Sequence, residues 1–175
     1  MIERATAIAA LALALALACA GPVSAEAVQT FEGVIIGAGG EPIGKVFLRG
    51  GENATVARIA VGAGGLRPGW HGVHFHTAAD CSQPGRFERA KDPINHENAG
   101  RGLLHPEGPQ EGNLPNIFVN ADGSANAELS SESIMLMGEL GLRDEDGSAL
   151  VIYANEDDHV SPSGGGDRVA CAAIK

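Results

Sequence analysis

The chain has 175 residues, 22 of them acidic and 12 basic, for a formal net charge of −10 at pH 7. Nucleic acid and anionic membrane surfaces both want a basic face, so this balance argues against either as a partner. The length suffices for one domain around one continuous core and does not suggest two.

Residues 1–25 stand apart from the fold. Met1 to Arg4 carry a cation, residues 5–20 form an almost pure Ala/Leu run, and Val23-Ser24-Ala25 supplies the small residues a signal peptidase accepts. The run is too short to span a bilayer comfortably and no second one follows, so no membrane span is expected after processing. The sequence therefore predicts a signal peptide over residues 1–25 with cleavage after Ala25, a domain over residues 26–175, and a periplasmic or secreted location. A lipoprotein reading, with the lipid on Cys19 of Leu17-Ala18-Cys19, is the alternative, although Ala16 stands where Leu or Val is usual. Only Cys81 and Cys171 remain after processing, and an even pair in an oxidising compartment is expected to be bridged.

The rest of the chain shows little helical periodicity. Short apolar stretches separated by Gly, Pro, Asn and Asp recur instead, which predicts an all-β fold. Strands are expected near residues 30–36, 45–48, 55–61, 73–77, 116–120, 125–129, 149–153 and 168–173, and eight short strands suit a barrel or sandwich. Ala121-Asp122-Gly123-Ser124 carries the Asp-Gly signal of a tight hairpin turn. Two long loops stand out. Residues 78–115 are rich in turn formers and include Cys81 as a clamp, while residues 155–167 contain the permissive run Ser163-Gly164-Gly165-Gly166.

The segment most informative about chemistry is His71-Gly72-Val73-His74-Phe75-His76. Side chains two apart on a strand share a face, so His74 and His76 point the same way, and paired imidazoles suit copper or zinc. The plain alternative places one histidine at a polar rim and the others, hydrogen-bonded, in the core.

Residues Pro68 to His76 resemble the signature strand of the copper/zinc superoxide dismutases, and Gly112-Asn113-Leu114-Pro115-Asn116 is similar to the bacterial family's GDLPN. Gly164 to Cys171 resembles its Gly-rich stretch ending in Gly-x-Arg-x-Ala-Cys, and Ala149 to Asp158 the strand and Asp-Asp before it. The resemblance, to the bacterial periplasmic type, covers nearly the whole mature chain. It implies an eight-stranded Greek-key barrel in which copper cycles between two oxidation states and converts superoxide to oxygen and peroxide.

By the same resemblance, His74 and His76 match copper-binding histidines, His71 a histidine that braces the barrel, and Arg168 the arginine that steers superoxide. Asp157 matches the aspartate linking the copper and zinc histidines, and Cys81 and Cys171 match the family disulfide. Other positions depart from the pattern. Tyr153 stands at the last copper histidine and Pro93 at the histidine bridging both metals, while Arg101, Gln110 and Asn113 replace zinc ligands. His96, His105 and His159 are the spare histidines, three, four and six residues from lost positions.

These losses set the expectations. Arginine offers no lone pair, so a zinc site is not expected. Arg101 is expected to supply the positive charge that zinc gave, pairing with Asp157 with support from Gln110 and Asn113; the alternative is that it extends into solvent. Tyr153 either gives cupric ion a phenolate or, as favoured, fills the vacancy with its ring. Three functions compete: a non-dismutase descendant that binds copper weakly or a protein partner, a copper-only dismutase with a rearranged ligand shell, and a copper storage or delivery protein. The retained His74, His76, Asp157 and Arg168 favour the second, whereas the simultaneous departure of five metal-binding positions favours the first.

Overall fold

The computed structural model describes residues 28–162 and 164–175. The expected signal peptide, the cleavage point after Ala25, the alternative lipid site Cys19, and Ser163 lie outside the described residues.

Eight antiparallel strands form one sheet: β1 (Gln29–Gly37), β2 (Pro42–Gly50), β3 (Thr55–Val61), β4 (Gly69–His76), β5 (Asn113–Val119), β6 (Ala125–Ser131), β7 (Ser148–Tyr153) and β8 (Arg168–Ile174). Their order is β5-β4-β7-β8-β1-β2-β3-β6. Strands β5 and β6 come alongside each other without a ladder, so the barrel is nearly closed. Strands β4, β5 and β6 run in succession and β7 returns beside β4, the order that defines a Greek key. Among the described residues no helix is long and apolar enough to cross a membrane.

Alternation explains most strands. In β3, Thr55, Ala57, Ile59 and Val61 point inward and Arg58 outward, one face buried and one wet. The inward set joins Ile35, Val46, Leu48, Val73, Phe75, Ile117, Val119, Leu150, Ile152 and Ile174 in one core.

Strand β7 breaks the rule, because all six of its residues are buried. Leu150 and Ile152 face the barrel core, while Ala149, Val151 and Tyr153 belong to a second cluster with Phe87, Ala90 and Cys171. Residues of the first long loop therefore lie over the outer face of β7. The Cys81–Cys171 disulfide, expected from the cysteine count, fastens that loop to β8.

Three strands begin three or more residues before the expected start. Strand β2 starts at Pro42, not 45, and β4 at Gly69, not 73. Strand β5 starts at Asn113, not 116, and tolerates Pro115 because that residue falls at a register shift where no ladder bond is demanded of it. Trp70 and Phe118, opposite each other on β4 and β5, pack edge to face with centroids 5.2 Å apart and remain about half exposed.

Candidate metal centre

Cross-strand register places the histidines. His74 lies opposite Val151 and His76 opposite Ala149, so both project from the outer face of the barrel, beneath the loops. His71 lies on the far side of the β4 register shift, and its ring nitrogens reach two carbonyl oxygens, Nδ1 to Tyr153 at 2.6 Å and Nε2 to Arg67 at 2.8 Å. It ties β4 to the end of β7 and touches neither of the other imidazoles through a hydrogen bond.

The partners of His74 and His76 settle where their protons sit, because carboxylates and carbonyls only accept. His74 donates Nε2–H to Asp157 Oδ2 at 2.8 Å, which leaves Nδ1 with its lone pair; that atom is buried and has no protein partner. His76 is the opposite tautomer. Its Nδ1–H donates to the Lys91 carbonyl at 2.8 Å, and its Nε2 accepts from the Tyr153 hydroxyl at 2.8 Å.

Burial pushes both imidazoles below their ordinary range, His76 to about 3; Arg101 pushes both in the same direction, and Arg168 adds to this at His76. Tyr153 is pushed up by burial, against the pull of the two arginines. Burial alone would raise Asp157. The His74 hydrogen bond, the His159 backbone N–H at 2.7 Å and the Arg101 charge outweigh it and hold the carboxyl below the usual carboxylate range.

Arg101 reaches into the same cluster and does not extend into solvent. Its guanidinium donates to the carbonyls of Pro162 at 2.8 Å and Gly164 at 3.0 Å and to Asp157 Oδ2 at 3.4 Å, and it lies 5.8 Å from the centre of the Tyr153 ring. Its supports differ from those expected. Asn113 Oδ1 accepts the backbone N–H of Gly102 at 2.7 Å, Gln110 makes no hydrogen bond to Arg101, and backbone carbonyls do the holding.

Pro93 forms an isolated bridge directly opposite His76. Arg168 donates to the Phe87 carbonyl at 2.8 Å. Two of the spare histidines have other partners, His96 nearing Glu111 at 3.7 Å and His105 Nδ1 accepting the Glu107 N–H at 3.1 Å, whereas His159 joins the cluster, its Nε2 3.3 Å from Asn116 and its Nδ1 4.0 Å from Asp157 Oδ1. Sequence reasoning missed Asn116, whose amide grips the Asp157 backbone through both Oδ1 and Nδ2 at 2.9 Å. Its only signal was its place in Gly-Asn-Leu-Pro-Asn.

Zinc does not fit this cluster: among the described residues no group of three or more His, Cys, Asp and Glu side chains gathers to hold a metal, and the side chains around Asp157 include a guanidinium that offers no lone pair. Copper fits in part: His74 Nδ1 offers a buried lone pair without a protein partner, but the lone pair of His76 is already taken by Tyr153.

Gly102 sets how closely the loops meet. It sits at φ +105°, and a Cβ there would stand 2.1 Å from the His159 carbonyl oxygen. Gly102→Ala is therefore expected to cost about 2 kcal/mol from strain and from wedging the loops apart. Urea denaturation checks this, and an unchanged midpoint would refute it.

A family model described as copper/zinc superoxide dismutase matches residues 43–174. A Cu-Zn superoxide dismutase of Caulobacter vibrioides is 46% identical over 116 residues, covering 63% of this chain and 67% of that protein. The superoxide dismutase-like protein YojM of Bacillus subtilis is 37% identical over 121 residues, covering 66% of this chain and 61% of that protein. Among solved structures, a SOD-like protein from Bacillus subtilis aligns with a TM-score of 0.77 at 29% identity, covering 85% of this chain and all of that one.

Proposed function

Because the chain belongs to the copper/zinc superoxide dismutase family, we propose that it is an exported, dismutase-like barrel that binds copper weakly and does not dismute superoxide efficiently. The observation that carries this reading is the 2.8 Å hydrogen bond from the Tyr153 hydroxyl to His76 Nε2, which occupies the lone pair a copper ion would need. The name of the Bacillus relative, dismutase-like, is in keeping with it.

Copper, when bound, supplies the one-electron exchange that turns superoxide into oxygen and peroxide. Toward that chemistry the chain contributes three things. Asp157 keeps the His74 lone pair pointing outward, Arg168 offers an incoming anion a positive charge, and the covering loops keep water out. Against it, two imidazoles are too few to support redox cycling, and freeing the second one breaks a buried hydrogen bond worth about 1 kcal/mol.

A copper-only dismutase is the second reading, and the open Nδ1 of His74 favours it. Elemental analysis of the purified protein, with superoxide removal assayed before and after copper loading, separates the two. The expected result is little bound metal and slow removal. One copper per chain with fast, copper-dependent turnover would establish the second reading.

The double variant Pro93→His with Tyr153→His supplies the internal control. Position 93 faces His76 and position 153 abuts it, so both new imidazoles enter the pocket. Cupric ion is expected to bind at least about tenfold more tightly, that is by about 1.4 kcal/mol or more. Equal affinity in an equilibrium copper titration would show that Tyr153 is not what closes the site.

A further inference from the structure

The residues around Asp157 do not fit zinc, yet its carboxylate is held by hydrogen bonds from His74, Arg101 and the His159 backbone. We infer that Arg101 is a positioning residue: its guanidinium is the fixed internal cation of this site, holding Asp157, and through it the Nε2–H tautomer of His74, without any metal.

Asp157 is buried, and five hydrogen bonds with four residues define it. Its Oδ2 receives His74 Nε2–H and the Arg101 guanidinium, its Oδ1 receives the His159 N–H, and its backbone is paired to the Asn116 amide. Arg101 is the one positive side chain hydrogen-bonded to that carboxylate among the described residues. Without it, a desolvated carboxylate would keep no cationic hydrogen-bond donor among the described residues, the His159 ring standing off at 4.0 Å, and burying an unpaired charge is costly. Guanidinium stays protonated at any physiological pH, so the cation it supplies is permanent in a way that an exchangeable ion is not.

The geometry calls for a planar fork. One terminal nitrogen donates to the Pro162 carbonyl and the other is shared between the Gly164 carbonyl and Asp157. These acceptors lie on the loop after β7, whereas Arg101 lies on the loop before β5, so one side chain staples the two loops and orients the carboxylate at once. Gly164 is closely fitted to this arrangement: a Cβ there would approach the Asp157 carboxylate to 2.5 Å. An ammonium offers a compact point charge and cannot reproduce the fork. The consequence is that His74 presents its Nδ1 lone pair before any metal arrives.

The test uses metal-free, isotope-labelled protein and needs no activity, so its failure is distinct from failure of the functional reading above. Two quantities are read: the His74 tautomer by long-range nitrogen–proton NMR, and amide hydrogen exchange in residues 154–167. In the native protein, dialysis against chelator is expected to change neither. In Arg101→Ala, loop exchange is expected to rise at least about tenfold and the single Nε2–H tautomer signature of His74 to be lost. Millimolar methylguanidinium should restore both. Arg101→Lys, which keeps the charge and is the safeguard should the alanine variant fail to fold, is expected to show the same loop acceleration. The inference is overturned by an unchanged tautomer in Arg101→Ala, by native behaviour of Arg101→Lys, or by a chelated native protein that behaves like Arg101→Ala.

Discussion

Acidifying the metal-free protein from pH 7 to pH 5 is expected to remove about 2 kcal/mol of its stability through His76, at about 1.4 kcal/mol per pH unit below the ordinary imidazole value, with buried His74 adding to the loss in the same direction. His74 and His76 are 1% and 0% exposed, and burial holds both below the ordinary value of 6.5. The unfolded chain takes up these protons as pH falls through about 6.5, whereas folded His76 resists until about 3. In that window the unfolded state binds more protons, so stability is complete above 6.5 and drains away below it. Asp157, held below its ordinary value of 3.8, adds a further loss once the unfolded chain protonates there. Urea midpoints across pH 4.5–8 check the slope. His76→Gln, which removes the His76 titration and keeps a group able to meet both Lys91 and Tyr153, should flatten it to the share that His74 contributes. A flat profile between pH 7 and 5 would mean that these rings are not dry.

Breaking the disulfide is the other large effect. Cys81 and Cys171 are 90 residues apart, and closing so long a loop in the unfolded chain stabilises the fold by up to about 4 kcal/mol in the chain-entropy model. For a domain of this size that corresponds to a fall in Tm of about 10 °C. The damage should be local before it is global. The clamp holds down the layer in which Phe87 and Ala90 cover Val151 and Tyr153, and the same stretch supplies the carbonyls of Phe87 and Lys91 that receive Arg168 and His76. Reduced protein, or Cys81→Ala with Cys171→Ala, should therefore be cut by protease first within residues 82–92, and a fall in Tm under about 2 °C would exclude this role.

Legibility varied along the chain for physical reasons. Strand β3 matched its expected bounds because inward apolar and outward polar residues alternate without interruption from Thr55 to Val61. Strands β2 and β5 were clipped because Pro42, Gly44 and Pro115 imitate loop, although each sits where the ladder tolerates it. At the site, the shared face of His74 and His76 and the pairing of Arg101 with Asp157 were visible in the sequence because they involve side chains in motifs. What could not be read was the backbone's share. The carbonyls of Lys91, Phe87, Pro162 and Gly164 accept the decisive hydrogen bonds, and a carbonyl leaves no mark in the identity of its residue. That is why Arg101 was expected to lean on Gln110 and Asn113, the nearest polar side chains in the pattern, and was found on main-chain oxygen instead.

The chain contains one tryptophan and one tyrosine. Trp70 stands about half exposed against Phe118, while Tyr153 is buried with its hydroxyl on His76. Each near-ultraviolet signal therefore has a single address. An ion that displaces the phenol from His76 must alter tyrosine absorbance and ellipticity while sparing indole emission, and a molecule that settles on the β4–β5 surface must do the reverse. Two lamps at different wavelengths illuminate the inside of the pocket and the outside of the barrel separately, with no label attached.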